Sequence, residues 1–232
     1  MRIIRNDPFI KRRATLARYI SLGSMGVLLL GLVISFSNDI ALLPISFVAL
    51  ILGFIGSQVG IYLGNRYSRA DRPDEVLAKS LKGFDDRYTL YQYTAPVGNL
   101  LLTPNACIVF VVKLQAGAIE FRNGKWRHHV KGLKRIFGFM TQETLGNPGQ
   151  DADIEVSSLH RHLEKKLPGV EIPIQSVIVF GNPLAEVDAG TSPVPALHAK
   201  KLKDWLRGSG RSGDLSAEAH NQLVQLFEPK EA

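Results

Sequence analysis

Two stretches of the chain are almost continuously apolar, and the rest alternates. Tyr19 to Ser37 and about Ile45 to Gly64 are each long enough to cross a bilayer core as a helix. Asn38, Asp39 and Pro44 lie in the short connection, which forces the two helices to run antiparallel. From Tyr19 to Asn65 there is no Lys or Arg and a single acid, Asp39. This pattern predicts a transmembrane helical hairpin over residues 19–65. Two buried helices of a soluble core would be the alternative, but paired runs of this length without a basic residue are rare in soluble domains. A cleaved signal peptide fits less well. Lys11-Arg12-Arg13 supplies a basic start, but the run is long, no small-residue cleavage site follows, and a second span comes at once.

After the hairpin the pattern turns to short periodic segments. Pro73-Asp74-Glu75 opens a helix whose apolar face is Val76, Leu77, Leu81 and Phe84. Strands are predicted at Tyr88 to Thr94, Asn99 to Thr103 and Cys107 to Lys113, the last continuously apolar and so buried on both faces. Asn123-Gly124 joins two further strands, Ile119 to Phe121 and Lys125 to His128, as a two-residue hairpin. Asp153 to Leu167 has helical spacing, and Ile174 to Phe180 is another apolar strand. A helix is predicted from Ser192-Pro193 to about Arg207, a flexible joint at Gly208 to Gly213, and a last helix at Leu215 to Phe227. The order gives an α/β fold, a mixed sheet with helices on its faces. The expected layout is a basic cytoplasmic segment (1–18), the membrane hairpin (19–65), an α/β domain (72–190) and C-terminal helices (191–232).

Charge refines this picture. The 232 residues carry a formal +7, but from Arg66 onward 22 Lys and Arg face 19 Asp and Glu. Much of the basic excess therefore precedes the first span, at Arg2, Arg5, Lys11, Arg12, Arg13 and Arg18. Arg66, Arg69 and Arg72 follow the second span, and the connecting loop has no basic residue. The positive-inside rule then puts both termini in the cytoplasm of a multi-pass cell-membrane protein. One internal basic segment remains: Arg122, Lys125, Arg127, Lys131, Lys134 and Arg135, interleaved with Trp126. Three readings stay open for it: a solvated hairpin and amphipathic helix, a lipid-facing patch, or a nucleic-acid contact. A single cysteine, Cys107, excludes an intrachain disulfide and a cysteine-rich zinc site, and its apolar strand makes it a buried thiol.

Gly56, Gly60 and Gly64 recur every fourth residue of the second span, a face that admits a close partner helix. That partner is either the first span or another chain. Gln58 is the one strongly polar side chain in that span, and two spans without buried charge make a poor transporter. His160 and His162 are two apart on a helix, so they do not form a metal pair.

The order of elements and the residues at their turns resemble the nuclease-related domain (NERD) family over about Asp74 to Asp188. The matching pieces are Asp74-Glu75-Val76, Gly98-Asn99-Leu100-Leu101-Leu102-Thr103-Pro104, Val109-Phe110-Val111-Val112-Lys113 followed by Gly117 and Ile119, Trp126, and Asn147-Pro148. The resemblance implies a restriction-endonuclease-like fold. It also implies a cleft in which Glu75, Asn99 and Lys113 stand at site positions, with Lys113 directed at the other two. The family's strand aspartate is replaced by Asn99 and its strand glutamate by Val111, so a hard cation would face too few carboxylate oxygens. The resemblance therefore implies a degenerate nuclease that works without a cofactor and acts by binding a protein, a membrane complex or nucleic acid. Two alternatives remain: an active Mg2+-dependent tethered nuclease, and a small accessory subunit of a larger membrane complex.

Overall fold

The computed structural model describes residues 1–37, 39–129 and 144–228. The chain forms two compact units, residues 7–72 and, separately, residues 1–6 with 73–232. The first unit is the hairpin: helix α1 (Asp7–Ser35), a short 3-10 turn at Ile40–Leu42, and helix α2 (Leu43–Tyr67). Both helices are long and apolar enough to cross a membrane. Only 17% and 11% of their most apolar windows are buried, far too little for core helices of a soluble fold. Leu29, Val33, Phe47, Ile51, Phe54 and Ile55 all point outward, as lipid-facing residues do.

The hairpin is zipped by small residues. A Cβ on Gly53 would lie 2.7 Å from Leu28, one on Gly60 would strike the Ser21 hydroxyl and backbone, and one on Gly56 would strike Ser24. Ser46 is buried and donates to the Gly31 carbonyl at 2.8 Å. The face carrying Gly56 and Gly60 is thus filled by α1 and is not available to a second chain; Gly64 has open space around it.

The second unit is built on a six-stranded sheet. Its strands are β1 (Arg2–Arg5), β2 (Thr89–Gln92), β3 (Asn99–Leu102), β4 (Cys107–Lys113), β7 (Ile174–Phe180) and β9 (Ala196–His198), in the spatial order β1-β2-β3-β4-β7-β9. β2, β3 and β4 are antiparallel neighbours, while β1 runs parallel to β2, and β7 parallel to both β4 and β9. A smaller sheet holds β5 (Gly117–Arg122), β6 (Lys125–His129) and β8 (Ala185–Asp188) in the order β6-β5-β8. Asn123 and Gly124 both have positive φ, as the two-residue turn between β5 and β6 requires.

Alternation along the strands assigns the helices to faces. Leu101, Ile108 and Phe110 pack with Leu77 and Leu81 of α3 (Pro73–Leu81) and with Leu202 and Leu206 of α5 (Leu202–Arg207). Leu100, Leu102, Cys107 and Val109 pack on the opposite face with Leu159 and Leu163 of α4 (Pro148–Lys166) and with Leu223 and Phe227 of α6 (Ala217–Phe227).

Four expectations are corrected. Residues 1–18, expected as one basic segment, are divided between two elements: Arg2–Arg5 form an edge strand, with Ile4 in the core, and Asp7 to Arg18 belong to the same helix as the first apolar run. Helix α4 begins five residues earlier than predicted, because Asn147 caps it by accepting from the Gln150 N–H and Pro148 suits the first turn. The segment after Pro193 is a strand, a 3-10 turn and only a short helix, since three of its residues complete the sheet. The 208–213 joint is packed: a Cβ at Gly210 would meet Trp205, and Leu215 donates to the Asn105 carbonyl at 3.0 Å. The C-terminal residues therefore close both faces of the core rather than forming a separate segment.

Candidate functional site

The three residues that the family resemblance selects do not converge. Asn99 alternates with Leu101, so it lies on the α3 face, where Gln92 Nε2 reaches its Oδ1 at 3.3 Å. Glu75 stands in the first turn of α3 on that same side. Lys113 alternates with Val109 and Val111 and lies on the α4 face, where its Nζ is 2.7 Å from Asp151 Oδ2. One inserted or deleted residue in β3 or β4 would have brought Asn99 and Lys113 to one side; the register Leu100↔Val109 does not. The expected cleft is therefore corrected to two sites on opposite faces.

On the α3 face a polar node gathers around the start of the helix. Asp74 is fully buried and Gln92 likewise, with Asn99 nearly so. Gln92 Nε2 donates to the Asp74 carbonyl at 2.8 Å as well as to Asn99. Arg5, from β1, sets its guanidinium 2.5 Å from Glu75 Oε1 and 3.8 Å from Asp74 Oδ2. A fixed guanidinium thus lies against the two carboxylates of this face. On the α4 face, Glu155 accepts from the Gly98 N–H at 3.3 Å, one turn along the helix from Asp151. Among the described residues no group of three His, Cys, Asp or Glu side chains is arranged to hold a metal ion.

The basic segment also changes character once folded. Arg122, Lys125 and Arg127 share the outward face of the small sheet, but that face is not purely basic. Glu120 stands directly between Arg127 on β6 and Asp188 on β8, and Glu186 is on the same face. Glu120 bonds His129 at 3.1 Å and Arg122 at 3.1 Å, and these contacts, His129 first, hold its carboxyl below the usual range. Trp126 points the other way and packs on Phe121 and Phe180, with ring centroids 5.3 Å and 5.8 Å apart. It is partly buried against the core cluster of Phe180 and Ile119. Lys131, Lys134 and Arg135 lie outside the described residues.

Sequence reasoning missed Arg5 and Gln92 as members of polar clusters. Only Gln92 left a trace, as a long amide in an otherwise apolar strand. Cys107 is fully buried and burial pushes its thiol up to about 12, which makes it the inert core thiol expected. No protein-family model, no curated protein and no solved structure matches the chain.

Proposed function

We propose that the protein is a membrane-anchored cytoplasmic domain on a restriction-endonuclease-like core that has lost nuclease chemistry and acts by binding a partner protein. The succession of a helix, three antiparallel strands, a helix and a strand parallel to the third supports the fold reading. The observation that carries the absence of nuclease chemistry is the separation of Asn99 and Lys113 onto opposite faces, with Glu75 paired to Arg5, and the same separation counts against the family resemblance that selected these residues. Metal-assisted cleavage needs acidic oxygens and the lysine around one phosphate, and this register does not provide that. The basic flanks support cytoplasmic termini. The pairing of β1 with β2 supports an even number of crossings, because it joins the residues before the hairpin to those after it. Within the membrane-bound reading, the mixed charge of the β6-β5-β8 face favours a protein partner over nucleic acid or lipid.

The test uses the full chain, since a fragment starting at Pro73 lacks β1. Purified in mild detergent with Mg2+ or Mn2+, it is expected to leave DNA and RNA intact. Extracted gently from its membrane, it is expected to migrate as an assembly larger than one chain with its micelle. Cleavage that disappears on Lys113→Ala would restore the enzyme reading. A strictly monomeric extract would remove the binding one.

A further inference from the structure

The small sheet is one-sided. Ile119, Trp126 and Val187 turn inward to the Phe180 cluster, and the residues that alternate with them turn outward. The two ladders set the outward residues in three rows. β6 gives Lys125, Arg127 and His129, and β8 gives Glu186 and Asp188, all of them exposed. On β5 between them, Glu120 and Arg122 are paired with each other at 3.1 Å, and Ala118 completes the row. The face is thus basic along one edge, balanced along its middle and acidic along the other edge. Two strand spacings, about 10 Å, separate the charged rows.

We propose that this face pairs with the same face of a second copy of the chain, about a two-fold axis running along β5. The inference rests on the reading that the domain works by binding a protein, and it names that protein. An axis parallel to the strands lays each β6 over the β8 of the other copy. Glu120 is level with both Arg127 and Asp188, and Ala118 with both His129 and Glu186. Arg127 of one copy therefore faces Asp188 of the other, and His129 faces Glu186, each contact occurring twice. An axis across the strands would instead stack β6 on β6 and β8 on β8, with like charges opposed, so charge selects one of the two arrangements. The middle row meets itself on the axis, where the Glu120–Arg122 pairing leaves it without net charge. A partner of one sign, such as nucleic acid or an anionic bilayer, would gain at one edge and be repelled at the other. A second copy carries both signs at the matching spacing. The face measures about 15 Å on a side, well short of the roughly 800 Å² per partner of a standing interface, and exposed ion pairs are individually weak. The pairing is therefore weak, screened by salt, and favoured where two copies are held in one membrane.

The test is crosslinking of the full chain carrying Ala118→Cys, reconstituted in liposomes and treated with a short membrane-permeant bismaleimide. Cys107 is fully buried and stays unreactive. Ala118 lies beside the axis, so a crosslinked dimer is expected at low ionic strength and several-fold less of it in high salt. Ser157→Cys, exposed on α4, is the control and is expected to stay monomeric. In the Ala118→Cys background, Arg127→Glu and Asp188→Arg should each reduce the crosslink about tenfold. Mixing the two variants should restore it, because the mixed pair has one native contact and one with its signs exchanged. Mixing does not rescue a variant that fails to fold, so restoration separates the contact from misfolding. Equal crosslinking of Ala118→Cys and Ser157→Cys, or a mixture no better than either variant alone, overturns the pairing. A gentle extract that stays larger than one chain while Ala118→Cys fails to crosslink overturns this inference and leaves the partner reading standing. A monomeric extract removes both.

Discussion

Replacing Ile4 by alanine tests whether the first residues of the chain are core or tail. Ile4 is 9% exposed and packs in the cluster that contains Tyr91, Leu100 and Leu102. The substitution removes three carbons, at about 0.8 kcal/mol each, and the cavity contribution is small at a sheet edge where the strand can settle. The expected loss is about 2–3 kcal/mol, which for a unit of this size lowers the midpoint of unfolding by roughly 4–12 °C. Cys107 supplies the assay. It is the chain's single cysteine, fully buried in the same cluster, and its thiol is held near 12 while the domain is folded. A thiol-reactive fluorophore near neutral pH therefore reports only the unfolded unit, and the hairpin contributes no signal. Ile3→Ala is the control: Ile3 is 46% exposed, and its loss is expected to cost at most about 0.5 kcal/mol. Equal midpoints for Ile3→Ala and Ile4→Ala would show that β1 does not belong to the sheet. The polar node would then lose its basis.

Three further outcomes are expected. In the hairpin, Gly60→Val should lower thermal stability in detergent because the new side chain meets the Ser21 backbone, whereas Gly64→Val should be neutral, and equal effects would count against the α1–α2 packing. His162 and His220 are both held below their usual pKa, chiefly by desolvation, so the unfolded chain binds more protons near and below pH 6.5 and stability should fall as pH drops through that window. The double variant His162→Gln/His220→Gln should flatten that slope in denaturant titrations at pH 7 and pH 5.5. Lys113→Met should cost about 1 kcal/mol or less, because Asp151, its partner, is 45% exposed and can return to water; a larger loss by denaturant titration would mean the pair is more than a surface bridge.

Features that depend on neighbours along the chain are legible in the residues alone. The two long apolar helices follow from continuous apolar composition, the Asn123-Gly124 hairpin from residues that tolerate positive φ, and the burial of Cys107 from an unbroken apolar strand. None of these needs knowledge of a distant partner. The structure decided whatever depends on pairing and register. Arg-Ile-Ile-Arg is too short for a periodic signal and becomes a strand only because β2, more than 80 residues later, offers an edge. Glu120, Glu186 and Asp188 balance the basic β6 strand because two ladders bring them alongside it. Asn99 and Lys113 stand on neighbouring strands of one short stretch of chain, yet the pairing of Leu100 with Val109 turns them to opposite faces of the sheet. Side chains in a strand alternate with a period of two. The spacing of two motif residues on different strands therefore leaves open which face each one occupies, and only the ladder between the strands decides it.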